Sequence, residues 1–433
     1  MGWGQGSPRA ILHIDGDGFF AACEVAMNPA LRGKPVVTGA ERGIASAMTY
    51  EAKALGLTRG MPIHEIRRHY PQVVIVPANY ETYSLFATRM YAIVRRYTSA
   101  VEEYSIDECF ADLTGLRRPL HMTYEEIARA VKRDLQSELG ITFSLGLAPN
   151  KVLAKVGSKW QKPDGFTHIH KSEIETFLAK TSCEKVWGIG PQTAALLAEK
   201  GVTTALAFAR KDETWVTTHL TKPHVELWKE LRGEFVLPLS TEAKSDYKSI
   251  QKTRTFVPPT NDAKFLLSQL SKNCENACEK ARRHKLFAKK ISFFLKAQTF
   301  RYRWIEIKLS LPTALPTDIM RVIQANFANV FREGEHYRTT GITLHDLTDT
   351  PPAQPDLFGA SEVQTKASRV FERVDQTNAR FGAHTVTLGS SLRARDHDKD
   401  DPRTKMPAPA THSLAITAPA LHHLTIPFLG TTH

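Results

Sequence analysis

The chain has 433 residues, with 57 Lys and Arg against 45 Asp and Glu, a formal charge of +12 and a pI near 9.4. At roughly 100 to 200 residues per domain, that length implies two to four domains. A 42% hydrophobic share excludes a disordered chain, and the positive excess favours phosphate-rich partners.

The five cysteines, at 23, 109, 183, 274 and 278, are scattered and odd in number, which excludes a disulfide framework. Cys274 and Cys278 stand four apart in a helical pattern with no second Cys or His pair at zinc spacing, so they read as helix-face or core thiols. The N-terminus has no basic segment followed by an apolar one, and no window supplies the roughly 18 apolar residues of a membrane helix. A reduced, cytoplasmic protein without a membrane segment is expected.

In chain order, residues 10–15 (AILHID) form a short apolar strand ending on an acid, and FFAACEVAM at 19–27 follows with helical spacing. PVVTG reads as a strand, GIASAMTYEAKALGL is bounded by glycines, and GMPIHEIRRHYP places Met61, Ile63, Ile66 and Tyr70 on one face of a short helix. Residues 21–79 read as a small α/β insert. From 80 to 165, helices and strands alternate as in an α+β core that shares a sheet with the first strand. Residues 171–235 are helical with glycine-punctuated turns. After a polar link, residues 246–347 read as strand, helix, strand, strand, helix, strand. A Pro-rich junction and one helix (QTKASRVFERVDQTNARFG) follow, then from about 390 a tail with no packing period, predicted to be disordered. Within it, HHLTIPFLG at 422–430 is an apolar island.

Residues 246–347 hold 18 Lys and Arg against 9 Asp and Glu, most of the chain's positive excess. Their KARRHKLFAKK run interleaves bases with apolar residues, which points to a nucleic-acid backbone surface. Lys252, Arg254, Arg282, Arg283, Lys289 and Lys290 are the candidate contacts.

Asp15 closes the first strand, and Asp107 and Glu108 lie within VEEYSIDECFADL. Neighbours in a flat strand point to opposite faces, so both acids serve one site only at a strand end, turn or bulge, and an irregularity is predicted there. Carboxylates brought together repel unless divalent cations neutralise them, and hard oxygen ligands suit magnesium. Taken alone, an Asp-Glu pair reads as a solvated hairpin.

HIDGDGFFAACE, SAMTYEAKALGLTRGMP, YSIDECFADL and SLGLAPNKVLAKVGSKWQKPDG occur in that order, followed by a helix-hairpin-helix-like VWGIGP. With these motifs the sequence resembles the Y-family, or translesion, DNA polymerases from about residue 10 to 348. The resemblance implies an α+β multidomain right hand. Its parts are a palm (1–20 and 80–165), fingers (21–79), a helical thumb (166–235), a linker (236–245), an α+β little finger (246–347), and at 348–433 a clamp-binding linker, a short helix and a mostly disordered tail.

It also implies that Asp15, Asp107 and Glu108, with the carbonyl of Gly16, bind two magnesium ions. Phe20 matches the steric gate against a 2′-hydroxyl. Tyr50, Lys53 and Lys162, with Ser46, match positions that grip the incoming triphosphate, and Asp17 is structural. Gly188 and Gly190 match a turn whose N–H groups hold a DNA phosphate. Gln354, Leu357 and Phe358 of QPDLF resemble the motif by which bacterial polymerases dock on the sliding clamp. Gly16, Gly18, Ala47 and Lys53 depart from the commonest family pattern, which bears on nucleotide affinity and sugar discrimination.

The implied function is template-directed, low-fidelity synthesis past DNA damage, without proofreading, by a monomer acting on primer-template DNA and deoxynucleoside triphosphates. The competing reading is a catalytically silent DNA- and clamp-binding adapter, against which the intact acid set stands. An ATP-driven enzyme fails for want of a GxxxxGK[ST] loop.

Overall fold

The structure is a computed structural model that describes residues 9–242, 247–349, 360–382, 384–400, 425–426 and 430–431. QPDLF at 354–358 lies outside the described residues. The chain divides into two units, residues 1–243 with 406–433 and residues 244–405, the first division falling within the polar link.

In the first unit, β1 (Ile11–Gly16) leads into α1 (Phe19–Met27). A small sheet follows: β2 (Val36–Thr38), β3 (Ala47–Met48), then α2 (Tyr50–Ala54), α3 (Ile63–His69) and β4 (Val74–Val76). α4 (Tyr80–Val94) precedes β5 (Val101–Ser105), β6 (Glu108–Asp112), α5 (Arg117–Leu120), α6 (Tyr124–Leu139), β7 (Phe143–Ala148), α7 (Lys151–Trp160) and β8 (Phe166–His168). Among the described residues, five α-helices follow: α8 (Ile174–Ala179), α9 (Pro191–Glu199), α10 (Ala205–Ala209), α11 (Glu213–His219) and α12 (Lys222–Leu231).

The main sheet has the order β5-β6-β1-β7-β8, so β1 is central, with antiparallel partners β6 and β7. Every β1 residue is buried. Leu12 and Ile14 enter a core shared with α4 and α6, while Ile11 belongs to the core formed by α7 and the later helices. Burial on both faces explains the unbroken apolar run. Local signals set the flanking helices. Thr123 and Glu126 form a capping box at the start of α6, and Gly140 ends it at φ 67. Asn150 caps α7 through Leu153 N and donates to the carbonyls of Glu230 and Glu234, tying α7 to α12.

The second unit runs β9 (Ser249–Thr260), α13 (Ala263–Arg283), β10 (Phe287–Ala297), β11 (Tyr302–Thr313), α14 (Pro316–Asn326) and β12 (Tyr337–Thr348), the order expected from sequence. Its antiparallel sheet has the order β11-β10-β12-β9. α13 and α14 cover one face, where Ile291, Phe293, Leu295, Ile342 and Leu344 form the core. Cys274 and Cys278 are buried in it as free thiols.

α15 (Ala360–Phe381) and α16 (Leu392–Asp400) follow. Here the expectation of an unpacked tail from about 390 is corrected at its start. Ser390 Oγ lies 2.6 Å from Ser271 Oγ, Ala394 is buried with its N–H donating to Ser268 Oγ, and Arg395 reaches Glu275 at 3.4 Å. Small and basic residues suffice because the contacts are mostly polar, which hydrophobic periodicity does not register. Near the C-terminus, Thr425–Ile426 pairs antiparallel with Gly430–Thr431.

Candidate active site

Asp15 and Glu108 are register partners across β1 and β6, so their side chains share a face. β6 begins at Glu108, directly after the turn, and the β5–β6 register shifts between Glu103 and Ser105. Gly16 N–H donates to the carbonyl of Asp107 at 2.9 Å, drawing the turn against the end of β1. The strand end and shifted register are the irregularity expected beside the acid pair, and the Asp107 charge is felt at Asp15.

Electrostatics then separate the acids. Burial raises the Asp15 carboxyl to about 6, opposed by Lys162 and reinforced by Glu108 and Asp107. Burial acts the same way on Glu108, but hydrogen bonds from His13 and Lys155 outweigh it and hold that carboxyl at about 2. His13 is wholly buried and pushed down to about 4 by desolvation. Its Nδ1 lies 2.7 Å from Ser158 Oγ, its Nε2 3.4 Å from Glu108 Oε2, and its ring packs on Phe110. Lys155 donates to Glu108, and Ser105 Oγ donates to Asp107 Oδ1 at 2.5 Å.

On the opposite side of Asp15, Lys162 donates to its Oδ1 and stands 3.8 Å from Asp17 Oδ1. The buried Asp17 carboxylate accepts from Ser144 Oγ and Asp164 N–H, both at 2.8 Å, and so holds the QKPDG turn on β7. Burial, followed by the charges of Asp17 and Asp15, raises the Tyr50 phenol to about 12, which keeps it a hydrogen-bond donor. Lys53 Nζ sits 3.8 Å above the Tyr50 ring, its pKa lowered by burial and by Lys162. Ser46 Oγ is 2.9 Å from Thr38 Oγ1.

Phe20 is half-buried, stacked on Tyr83 at 4.5 Å and edge-on to Tyr80 at 5.3 Å. Gly18 caps α1 at φ 59, and a Cβ there would stand 2.8 Å from the carbonyl oxygen of Met48. At Gly16 a Cβ would meet the Phe19 ring at 2.6 Å. Both departures from the family pattern thus accompany close local packing.

Sequence reasoning missed His13 and Lys155. A weak signal for each was present: His13 stands two residues before Asp15 on the same strand face, and Lys155 continues an i, i+4 row from Lys151. Lys151 itself pairs with buried Glu102 at 2.7 Å.

Among the described residues, no three His, Cys, Asp or Glu side chains form a ready metal cage. Lysine ammonium groups hold Asp15 and Glu108 instead. The donor set is nevertheless all oxygen, and Asp15, raised chiefly by burial and in smaller part by the charges of Glu108 and Asp107, is a carboxyl whose ionised form a hard cation favours. The residues fit a divalent metal once Lys162 gives way.

Gly188 has φ 91, and Gly190 and Pro191 begin α9 with open space around Gly190. In the second unit, the candidate basic residues sort differently. Arg282 is not an open cation: it forms two 2.7 Å hydrogen bonds with Asp375 and donates to the carbonyl of Ala314. Lys252 and Arg254 are half-buried on the side of β9 that carries Ile250 and Phe256, the helix side. Lys290 pairs with Glu306 at 3.2 Å and Asp346 at 3.4 Å, and Arg283 pairs with Glu279 at 2.9 Å. Lys289 is exposed.

The impB/mucB/samB family model matches residues 14–159, and the model of that family's C-terminal domain matches 247–357. DNA polymerase IV 1 of Bacillus subtilis (strain 168) is 30% identical over 406 residues, covering 92% of this chain and 96% of that protein. The chain belongs to the Y family of DNA polymerases, in its bacterial branch. DNA polymerase IV of Streptococcus pyogenes serotype M28 is 31% identical to this Y-family chain over 349 residues, 79% of this chain and 94% of its own. Among solved structures, the Y-family DNA polymerase chimera Dbh-Dpo4(243-245)-Dbh superposes with a TM-score of 0.66 at 22% identity, covering 79% of this chain and all of its own. The insertion ternary complex of Dbh DNA polymerase gives 0.52 at 23%, with the same coverage. These likenesses show that the Y-family fold is shared.

Proposed function

We propose that this DNA-directed DNA polymerase adds deoxynucleotides to a primer 3′ end at the β1–β6 carboxylates and works past damaged template positions without proofreading. The observation that carries the reading is the pairing of Asp15 with Glu108 across the strands, with Asp107 in the adjoining turn. In this reading residues 1–20 and 80–165 act as palm, 21–79 as fingers, 166–235 as thumb and 246–347 as little finger.

Asp15, Asp107, Glu108 and the Gly16 carbonyl would hold two magnesium ions. The chemistry such ions would supply there is a lowered pKa for the primer hydroxyl and neutralisation of the charge that builds on the transferred and leaving phosphates. The protein's own part is placement. His13 and Lys155 fix the Glu108 carboxylate, ionised at neutral pH. Lys162, drawn to Asp15 and Asp17, can turn to the triphosphate as a second anionic partner. Tyr50 donates a hydrogen bond to the same group, and Lys53 and Ser46 lie along it. Phe20, braced by Tyr83 and Tyr80, stands below the sugar and excludes a 2′-hydroxyl.

Primer-template DNA is held through Gly188, Gly190 and the basic surface, and Gln354, Leu357 and Phe358 dock on the sliding clamp in the cytoplasm. Primer extension on undamaged and abasic templates, with magnesium or EDTA, tests the reading. Extension that needs magnesium and is abolished by the Asp107→Ala, Glu108→Ala double change supports it, and synthesis beyond the abasic position supports bypass. Binding of primer-template without extension under every condition points instead to a silent adapter.

A further inference from the structure

The β11 edge of the second unit carries an apolar groove that the polymerase reading leaves unused. β11 stands at the end of the sheet order, beside β10. Towards its C-terminal end the register slips. Lys290 faces Lys308 and Ala288 faces Thr313, so β11 advances five residues while β10 advances two, and residues 309–312 bulge from the ladder. The bulge, α14 and Ala367 of α15 line a groove of about 650 Å³. Edge strands are commonly protected by charge, yet here Ile307, Leu309 and Leu311 of β11 and Val322 of α14 are half-buried apolar walls. Lys308, Asp318 and Arg321 line it as well. Arg321 pairs with Asp318 at 3.7 Å, and Lys308 forms no ion pair among the described residues.

Both ends of one chain segment lie beside this groove. Ala288 pairs with Thr313 on one side and Leu347 on the other, so the end of β12 is two strand spacings, about 10 Å, from the end of β11. α15 begins at Ala360 and reaches the groove wall at Ala367, about 10 Å further on at 1.5 Å per residue. Residues 350–359, TPPAQPDLFG, join these two points. At about 3.3 Å per residue, that length of chain reaches the groove from either end. Pro351, Pro352 and Pro355 favour extended backbone, which lessens the entropy lost on docking. Leu357 and Phe358 are the segment's large apolar side chains, and Asp356 precedes them with a charge that complements Lys308.

We propose that residues 354–358 dock within their own chain in this groove, with Leu357 and Phe358 against Ile307, Leu309 and Val322, and Asp356 toward Lys308. A short segment tethered at both ends has an effective concentration on the order of mM, so it fills even a weak site. The docked motif is withheld from a sliding clamp, whose apparent affinity falls with the fraction of time the segment is free. This consequence rests on the reading of QPDLF as a clamp motif, whereas the docking itself does not.

Disulfide trapping in the full chain tests the docking, because the native cysteines at 23, 109, 183, 274 and 278 are all buried. Asp356→Cys leaves Leu357 and Phe358 in place. Its groove partner is Ser310→Cys, and its reference partner is Trp304→Cys, 65% exposed and about 20 Å away along the same strand. Under a mild oxidant the groove pair should link at least about tenfold faster than the reference pair, and adding Val322→Arg should remove that advantage. With the native cysteines alone, Val322→Arg and, separately, Leu309→Lys should each tighten binding to a bacterial sliding clamp by about threefold or more. Equal linking rates would overturn the proposal. So would a link that forms between chains and rises with concentration, which would assign the groove to a second copy. A clamp affinity that neither groove variant raises would overturn the withholding. A clamp that binds neither the full chain nor a peptide of residues 350–359 would remove the clamp reading, and the linking rates would still decide the docking.

Discussion

Gly18 sits where the backbone enters α1 with positive φ, against the carbonyl of Met48. Replacing it with Ala should destabilise the protein by about 1–3 kcal/mol. It should also displace β3, which joins Ser46 to Tyr50. Steady-state kinetics should show a higher KM for the incoming nucleotide with a smaller change in kcat, and thermal unfolding a lower midpoint. Phe20 is a different case, because its ring is braced by Tyr83 and Tyr80 but remains half-exposed. Phe20→Val should raise ribonucleotide insertion relative to deoxyribonucleotide by roughly tenfold or more, as removal of a steric contact does. Competition assays with paired triphosphates measure it, and an unchanged ratio would remove Phe20 from the sugar gate. The sequence signal for His13 was weak for a physical reason: a buried histidine is ordinary in a core, and only the register with β6 sets its Nε2 beside Glu108.

At the scale of elements, α15 is fastened to α13 by the Arg282–Asp375 pair. Burial disfavours the Arg282 charge, but its hydrogen bonds to Asp375 more than offset this. Removing one partner strands the other, so Asp375→Ala should cost about 3–5 kcal/mol. A double-mutant cycle with Arg282→Ala should recover a coupling of about 0.5–3 kcal/mol in urea unfolding. α16 adds a second charge effect. Burial first, then Arg254 and Arg395, pushes the Lys272 ammonium down from 10.5 to about 8. The unfolded chain therefore holds more protons between those values, and native stability should rise as pH climbs through that window. Urea midpoints measured from pH 8 upward should show the rise, and Lys272→Met should flatten it. A basic-residue count assigned Arg282 to DNA because charge is visible in sequence and pairing is not.

At the scale of the molecule, the hydrophobic clusters fall within one unit or the other. Cores that share no side chains unfold with their own cooperativity. Scanning calorimetry of the full chain should resolve two transitions. Phe293→Ala, which empties a fully buried position in the second unit, should lower one of them by about 3–5 kcal/mol of stability and leave the other in place. A single transition shifted as a whole would show that the units are energetically fused.

By itself the sequence determined the order of elements in residues 246–347, the helices whose ends carry caps such as Thr123 and Gly140, and the Y-family motifs around Asp15, Asp107 and Glu108. These are local, written in periods of two and 3.6 and in residues with particular backbone preferences. Only the tertiary structure decided which charges are free. It put Lys155 on Glu108, Lys162 on Asp15 and Asp375 on Arg282, extended packing through α16, and left Tyr302 and Trp304 on an open face. Ion pairs and exposure depend on neighbours distant in the chain, and no periodicity of one segment carries that information.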